Sequence, residues 1–176
     1  MEVRFLELQT VSAQQLALWE SWLSPEKRQR LEKLPPEKRL QSLCGDALAR
    51  QMLSQKLGIA PQEVVTTYTE NGKPQVTGAH FSISHSGSLV GCAVSECPIG
   101  LDVERIRPAP PRLRLTMDCE GECDAEFFRL WTKREALLKC CGKTIAHWRN
   151  VAPEENYIFS VPEVPEGYCA CVCEEK

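Results

Sequence analysis

The chain has 176 residues, 43% hydrophobic and 26% charged, with 21 Lys and Arg against 24 Asp and Glu for a net charge of −3. That length can bury a real core, as one domain or as two small halves packed together. A small negative balance argues against a general nucleic-acid binder, and no apolar run is long enough to cross a membrane.

The opening Met1-Glu2-Val3-Arg4 is too charged for a secretory signal. The 10 cysteines are therefore expected as reduced thiols in a cytoplasmic protein rather than as a disulfide framework. Val3 to Leu8 reads as a strand. Ser12 caps an amphipathic helix carrying Leu16, Leu18, Trp19, Trp22 and Leu23. Ser24-Pro25 opens a basic stretch with Lys27, Arg28, Arg30, Lys33, Lys38 and Arg39. A longer helix follows Pro36, with Leu40, Leu43, Cys44, Ala47 and Leu48 as its apolar stripe and Gly58 as its stop. Val64 to Thr69 reads as a strand and Asn71-Gly72 as a turn. Phe81 and Ile83 alternate with Ser82 and Ser84 up to His85. After Ser86-Gly87-Ser88, a buried strand is predicted over Leu89 to Ser95.

Residues 99–104, Ile-Gly-Leu-Asp-Val-Glu, alternate apolar side chains with Gly100, Asp102 and Glu104. In a strand this buries Ile99, Leu101 and Val103 and sets two carboxylates ~7 Å apart on the opposite face. Acids so placed repel unless something positive stands between them, and a hard divalent cation is the usual answer. A half-solvated edge strand with two surface acids is the ordinary alternative. Gly100 is expected to leave room for a ligand against the backbone. Arg105 to Glu122, rich in proline, reads as a loop.

Asp124 is placed as the cap of a helix that runs to about Cys141 and stops at Gly142. Phe127, Leu130, Trp131, Leu137, Leu138 and Cys141 form its apolar arc, ~120° wide. Glu135 and Lys139, four apart, share one edge of that arc. They are either a surface ion pair or a third carboxylate for the cation beside a phosphate clamp. Arg134 falls inside the arc, so it must snorkel out or meet an acid or a phosphate. The tail from Ile145 offers two or three short strands. Cys169, Cys171 and Cys173 alternate on one strand face, where Cys behaves as a small hydrophobe, and the cysteine spacing is not that of a structural zinc site.

A strand-then-helix start at Val3 and again at Ile99 suggests an α+β protein of two similar halves, residues 1–97 and 98–176. Each half is expected as a small antiparallel sheet packed on a long helix, the two in a pseudo-twofold arrangement.

Three ordered segments carry a resemblance: Phe81-Ser-Ile-Ser-His-Ser86, Ile99-Gly-Leu-Asp-Val-Glu104 and Trp131-Thr-Lys-Arg-Glu-Ala-Leu-Leu-Lys139. They resemble the motifs of the 4'-phosphopantetheinyl transferases, in the larger single-chain, surfactin-synthetase-activating type that serves peptide and polyketide synthases. Ser24-Pro-Glu-Lys-Arg28, Gly45-Asp46 and Asn71-Gly-Lys-Pro74 fit the N-terminal half of that type, so the resemblance spans residues 21–143.

The resemblance implies a monomeric transferase dependent on Mg²⁺, with Mn²⁺ as the other candidate, and an active site between the halves. Such an enzyme moves the phosphopantetheine arm of coenzyme A onto a serine of an apo acyl or peptidyl carrier protein and releases 3',5'-ADP. Asp102, Glu104 and Glu135 would hold the metal. Lys139 would pair with the diphosphate, Lys27 and Arg30 with the 3'-phosphate, and Lys73, Ser84 and His85 would complete the nucleotide pocket. Catalysis would rest on Asp102, Lys139 and Glu135, with Glu135 taking the serine proton directly or through a metal-bound water. Read singly, several of these have ordinary explanations: His85 ends a strand, Lys27 and Arg30 sit in a charge-rich helix start, and Lys73 follows a turn.

Two departures from the family stand out. Arg134 occupies a position usually held by lysine. The segment between Glu104 and Trp131 is short and carries Cys119-Glu-Gly-Glu-Cys123 in place of a helix that helps receive the carrier. Two readings from other classes stay open, a non-catalytic coenzyme A-binding module and a thiol-rich metal or redox protein. The intact set of Asp102, Glu104, Glu135 and Lys139 counts against the first.

Overall fold

The computed structural model describes residues 1–147 and 153–176. In chain order the elements are β1 (Glu2–Glu7), α1 (Ala13–Ser21), α2 (Pro25–Glu32), α3 (Pro36–Leu57), β2 (Thr67–Tyr68), β3 (Pro74–Gln75), β4 (His80–Ser86), β5 (Leu89–Ser95), β6 (Ile99–Arg105), α4 (Pro111–Thr116), α5 (Asp124–Cys140), β7 (Tyr157–Ser160) and β8 (Tyr168–Glu175). One antiparallel sheet has the order β1-β5-β4 and another the order β6-β8-β7, with β2 and β3 forming a small separate hairpin. Hairpin aside, both sheets follow one plan: the first strand pairs with the last, and the last with the middle one. Among the described residues no helix is long and apolar enough to cross a membrane.

Local chemistry accounts for the helices. Ser12 and Gln15 close a capping box at the start of α1. Ser24 caps α2 with Pro25 in its first turn, and Gly58, at φ 69°, ends α3 in the left-handed region. α3 lies on the first sheet over a core that includes Leu43, Cys44, Leu48, Met52, Leu53, Phe81 and Val90. Gly45 permits the close approach, since a Cβ there would stand 2.9 Å from the Ile83 Cγ2 methyl.

α5 covers the second sheet, and here the expectation for Gly100 is corrected. A Cβ on Gly100 would fall 2.0 Å from the Ala136 carbonyl oxygen and 2.4 Å from the Cys140 nitrogen. The room beside Gly100 is taken by the backbone of α5, not by a ligand. Cys171 and Cys173 bury against Ala136, Leu137 and Cys140, so these thiols do pack as small hydrophobes. The buried side of α5 is wider than the predicted arc and includes Phe128, Thr132 and Cys140, while Leu130, Trp131 and Cys141 are half-buried.

Three further expectations change. The 105–122 segment is not all loop: Pro111 starts the short helix α4, and the Arg114 guanidinium then bonds the Glu122 carbonyl and lies 5.2 Å from the Phe127 ring. Asp124 does not cap α5. It is the first helical residue, and its carboxylate accepts from the Ala109 N–H and pairs with Arg114. The 64–69 strand shrinks to Thr67–Tyr68, and Arg50 Nη1 takes the carbonyl of Val64, which a ladder would otherwise use. In the tail, Ile145–His147 forms a 3-10 turn, and two strands follow.

The two sheets meet through β4 and β6. One edge of β6 pairs with β8; along the other edge, the Ser82, Ser84 and Ser86 hydroxyls accept from the N–H groups of Leu101, Val103 and Arg105 at 3.0, 3.2 and 3.1 Å. The alternating serines thus replace a missing strand ladder. Ser82→Ala would leave the buried Leu101 N–H without its acceptor. It is expected to cost about 1–3 kcal/mol in urea denaturation. A loss under 0.5 kcal/mol would mean that the seam does not depend on this bond.

Candidate active site

Alternation on β6 carries Asp102 and Glu104 toward that seam, and the last turns of α5 bring Glu135 and Lys139 over them. Asp102 is buried, 5% exposed, and Lys139 Nζ donates to its Oδ1 at 2.6 Å. Ser84 stands between the two. Its hydroxyl donates to Asp102 Oδ1 at 3.0 Å and accepts from Lys139 Nζ at 3.0 Å. Glu104 accepts from Ser86 Oγ at 2.6 Å and from Arg107 Nη1 at 2.8 Å. Ser84, Asp102 and Lys139, predicted from separate motifs, therefore form one bonded cluster drawn from β4, β6 and α5.

Electrostatics in the cluster run against the acids. Burial first, and then the Glu104 carboxylate, hold Asp102 above the usual carboxylate range despite the opposing pull of Lys139. Burial, Asp102 and Glu104 likewise raise Glu135. Asp102 Oδ2 is buried with no hydrogen-bond donor among the described residues. Also among the described residues, no three His, Cys, Asp or Glu are gathered as a ready ligand set. The donor chemistry nonetheless fits a hard divalent cation: three carboxylates that feel one another, one with an orphaned buried oxygen.

His85 is half-buried beside the cluster. Burial, Lys38 and Lys139 hold its imidazole below the ordinary histidine value, so it is neutral at neutral pH. Lys73 is committed to the fold. Its ammonium donates to the carbonyls of Ile99 at 3.1 Å and Cys140 at 3.5 Å, and also to that of Lys139, at the negative end of α5. It still borders a pocket of about 220 Å³ shared with Asn71, Gly72, Ser82 and Lys139. A larger hollow, about 820 Å³, is lined by residues of the β2–β3 hairpin, Lys73 again among them, and contains none of the three acids.

Lys27 and Arg30 stand apart from this cluster, on α2, at the rim of a third hollow of about 510 Å³. Lys27 Nζ donates to Tyr68 Oη at 3.1 Å and lies 3.5 Å from Asp46 Oδ1. The sequence reading missed the partners that hold the site's charges: Ser86 and Arg107 on Glu104, and Asp46, Arg50 and Tyr68 around Lys27. Asp46 and Arg50 were visible as an i,i+4 charge pair on the buried side of an apolar helix.

Residues 10–97 match the family model described as 4'-phosphopantetheinyl transferase, N-terminal. The chain is similar to the 4'-phosphopantetheinyl transferase gsp of Aneurinibacillus migulanus, 31% identical over 74% of this chain and 67% of that protein. It is also similar to the 4'-phosphopantetheinyl transferase Sfp of Bacillus subtilis, 31% identical over 72% of this chain and 63% of Sfp. A third relative, the 4'-phosphopantetheinyl transferase psf-1 of Bacillus pumilus, is 31% identical over 60% of this chain and 52% of its own length. The chain thus spans between about half and two thirds of these relatives.

Proposed function

The chain belongs to the 4'-phosphopantetheinyl transferase family, and from that premise we propose that it transfers the phosphopantetheine arm of coenzyme A to a serine of an apo acyl or peptidyl carrier protein, releasing 3',5'-ADP. One observation carries the reading: Ser84, Asp102 and Lys139, each from a different motif, are bonded to one another where the two sheets meet.

Splitting a diphosphate with an alcohol requires charge neutralisation and alignment more than covalent assistance from the protein. Asp102, Glu104 and Glu135 would hold a divalent cation, Mg²⁺ or Mn²⁺, which when bound neutralises charge on the diphosphate. Lys139 exchanges its contact with Asp102 for the diphosphate oxygens, and the Ser84 hydroxyl stays in donor range of the same acid. Glu135, at the end of α5 beside the other acids, takes the proton of the carrier serine. The neutral imidazole of His85 and the fixed ammonium of Lys73 border the nucleotide. Lys27 and Arg30 receive the 3'-phosphate.

The shared strand plan of the two sheets supports halves at 1–97 and 98–176 related by a pseudo-twofold, with the site between them and the protein acting as a monomer.

Intact-protein mass spectrometry tests the activity on a panel of apo carriers with coenzyme A and Mg²⁺. We expect a gain of one phosphopantetheine that disappears with EDTA. No gain on any carrier, with coenzyme A still bound, would leave a binding module in place of an enzyme.

A further inference from the structure

The ring of Tyr68 sits beside both cations of α2. Lys27 Nζ is 5.7 Å and the Arg30 guanidinium 5.1 Å from its centroid, and the phenol oxygen accepts from Lys27 as well. Tyr68 comes from β2, some forty residues away in the chain, and is 41% exposed. On the inner side, Asp46 is buried on α3 and binds Arg50 Nε at 2.7 Å through one oxygen, facing Lys27 at 3.5 Å with the other.

Arg50 spends three of its five N–H donors on Asp46 and on the carbonyls of Pro61 and Val64 at 3.1 and 2.9 Å, so the charges of Asp46 and Arg50 offset each other. Two cations then remain at the rim, three residues apart on one helix, where they would repel and scatter if left to solvent. Tyr68 offsets that repulsion with its phenol oxygen toward Lys27 and its electron-rich ring toward Arg30. Lys27 spends one of its three donors on the phenol and has only a long contact to Asp46, so it keeps capacity for a ligand.

We propose that Tyr68 and Asp46 are positioning residues that hold Lys27 and Arg30 as a preformed seat for a dianionic phosphate monoester, and so set the preference for coenzyme A over its 3'-dephospho form. This rests on the reading above that Lys27 and Arg30 receive the 3'-phosphate. Pre-organisation is the gain: the ligand does not have to order two long, mobile cationic side chains on arrival.

The test is calorimetric titration of the full chain with 3',5'-ADP and with 5'-AMP, beside KM values for coenzyme A and 3'-dephospho-coenzyme A. Tyr68→Leu is expected to weaken 3',5'-ADP about tenfold and to leave 5'-AMP nearly unmoved, with the kinetic loss in KM rather than kcat. Tyr68→Phe, which keeps the ring beside Arg30 but loses the phenol contact to Lys27, should restore part of that loss. Asp46→Asn should narrow the preference in the same direction. Because Asp46→Asn also strips a buried arginine of its partner, the exposed Tyr68 pair decides the matter if that variant fails to fold. Lys27→Ala is the control on the premise: equal losses for both nucleotides would remove the 3'-phosphate from this seat. A selective loss in Lys27→Ala with an unchanged preference in Tyr68→Leu would overturn the positioning role alone.

Discussion

Asp102→Asn is expected to cut carrier modification by about a hundred- to a thousandfold, while the metal-free protein becomes more stable at pH 7.5 than the parent. The two effects share one cause. Asp102 is buried beside Glu104 and within reach of Glu135, and burial outweighs the contact with Lys139, so the folded carboxyl sits above an aspartate's ordinary value of 3.8. Between that value and the raised one, the folded state binds more protons than the unfolded state. Stability therefore falls as pH rises through the window, and the cost is complete once the pH is above the raised value. Asparagine removes the charge and the cost together, and with them one carboxylate of the proposed metal site. Lys139, whose side chain is 30% exposed, can return to water when its partner goes.

Urea denaturation in EDTA from pH 4 to pH 8 would read the stability difference, expected to be largest at the alkaline end and to shrink toward pH 4. Mass spectrometry of a carrier would read the transfer. An asparagine variant that transfers at the parental rate would sink the role of Asp102. One that is less stable at pH 7.5 would mean that the Lys139 pair, rather than burial, dominates this carboxylate.

Gly100→Ala should be the most damaging single change to the fold. The added methyl would lie 2.0 Å from the Ala136 carbonyl and 2.4 Å from the Cys140 amide, both of them backbone atoms of α5. No side chain can rotate out of the way, so the helix must lift from β6. We expect a loss of about 3 kcal/mol or more, near the top of the range for overpacking. For a chain of this size that is about a 10 °C fall in melting temperature. Because α5 carries Glu135 and Lys139, the residual folded protein should transfer poorly as well. A melting point within 2 °C of the parent would show that α5 can shift at little cost.

Gly100 also marks where reading a sequence stops. An alternating strand with a glycine on its polar face looks the same whether a ligand or a helix comes close, because the approaching atoms belong to a segment nearly forty residues away. Asp124 is a similar case. As a residue type it suits a helix cap, yet its carboxylate is drawn to Arg114 and the Ala109 amide across the chain turn.

What the amino-acid order determined by itself is whatever has a local cause. Ser12 and Ser24 start helices and Gly58 stops one, because caps and left-handed ends act within one turn of the chain. Alternation in 81–86 and 99–104 specifies strands and their faces, and the family could be read from motif order alone. The tertiary structure decided which groups those strands and helices bring together. It gave the serines of β4 to the open edge of β6, the ammonium of Lys73 to the carbonyl end of α5, and Tyr68 and Asp46 to Lys27. These pairings join residues about twenty to seventy positions apart. No period or propensity in the chain records such distances, since they exist only once hydrophobic burial has closed the two sheets on each other.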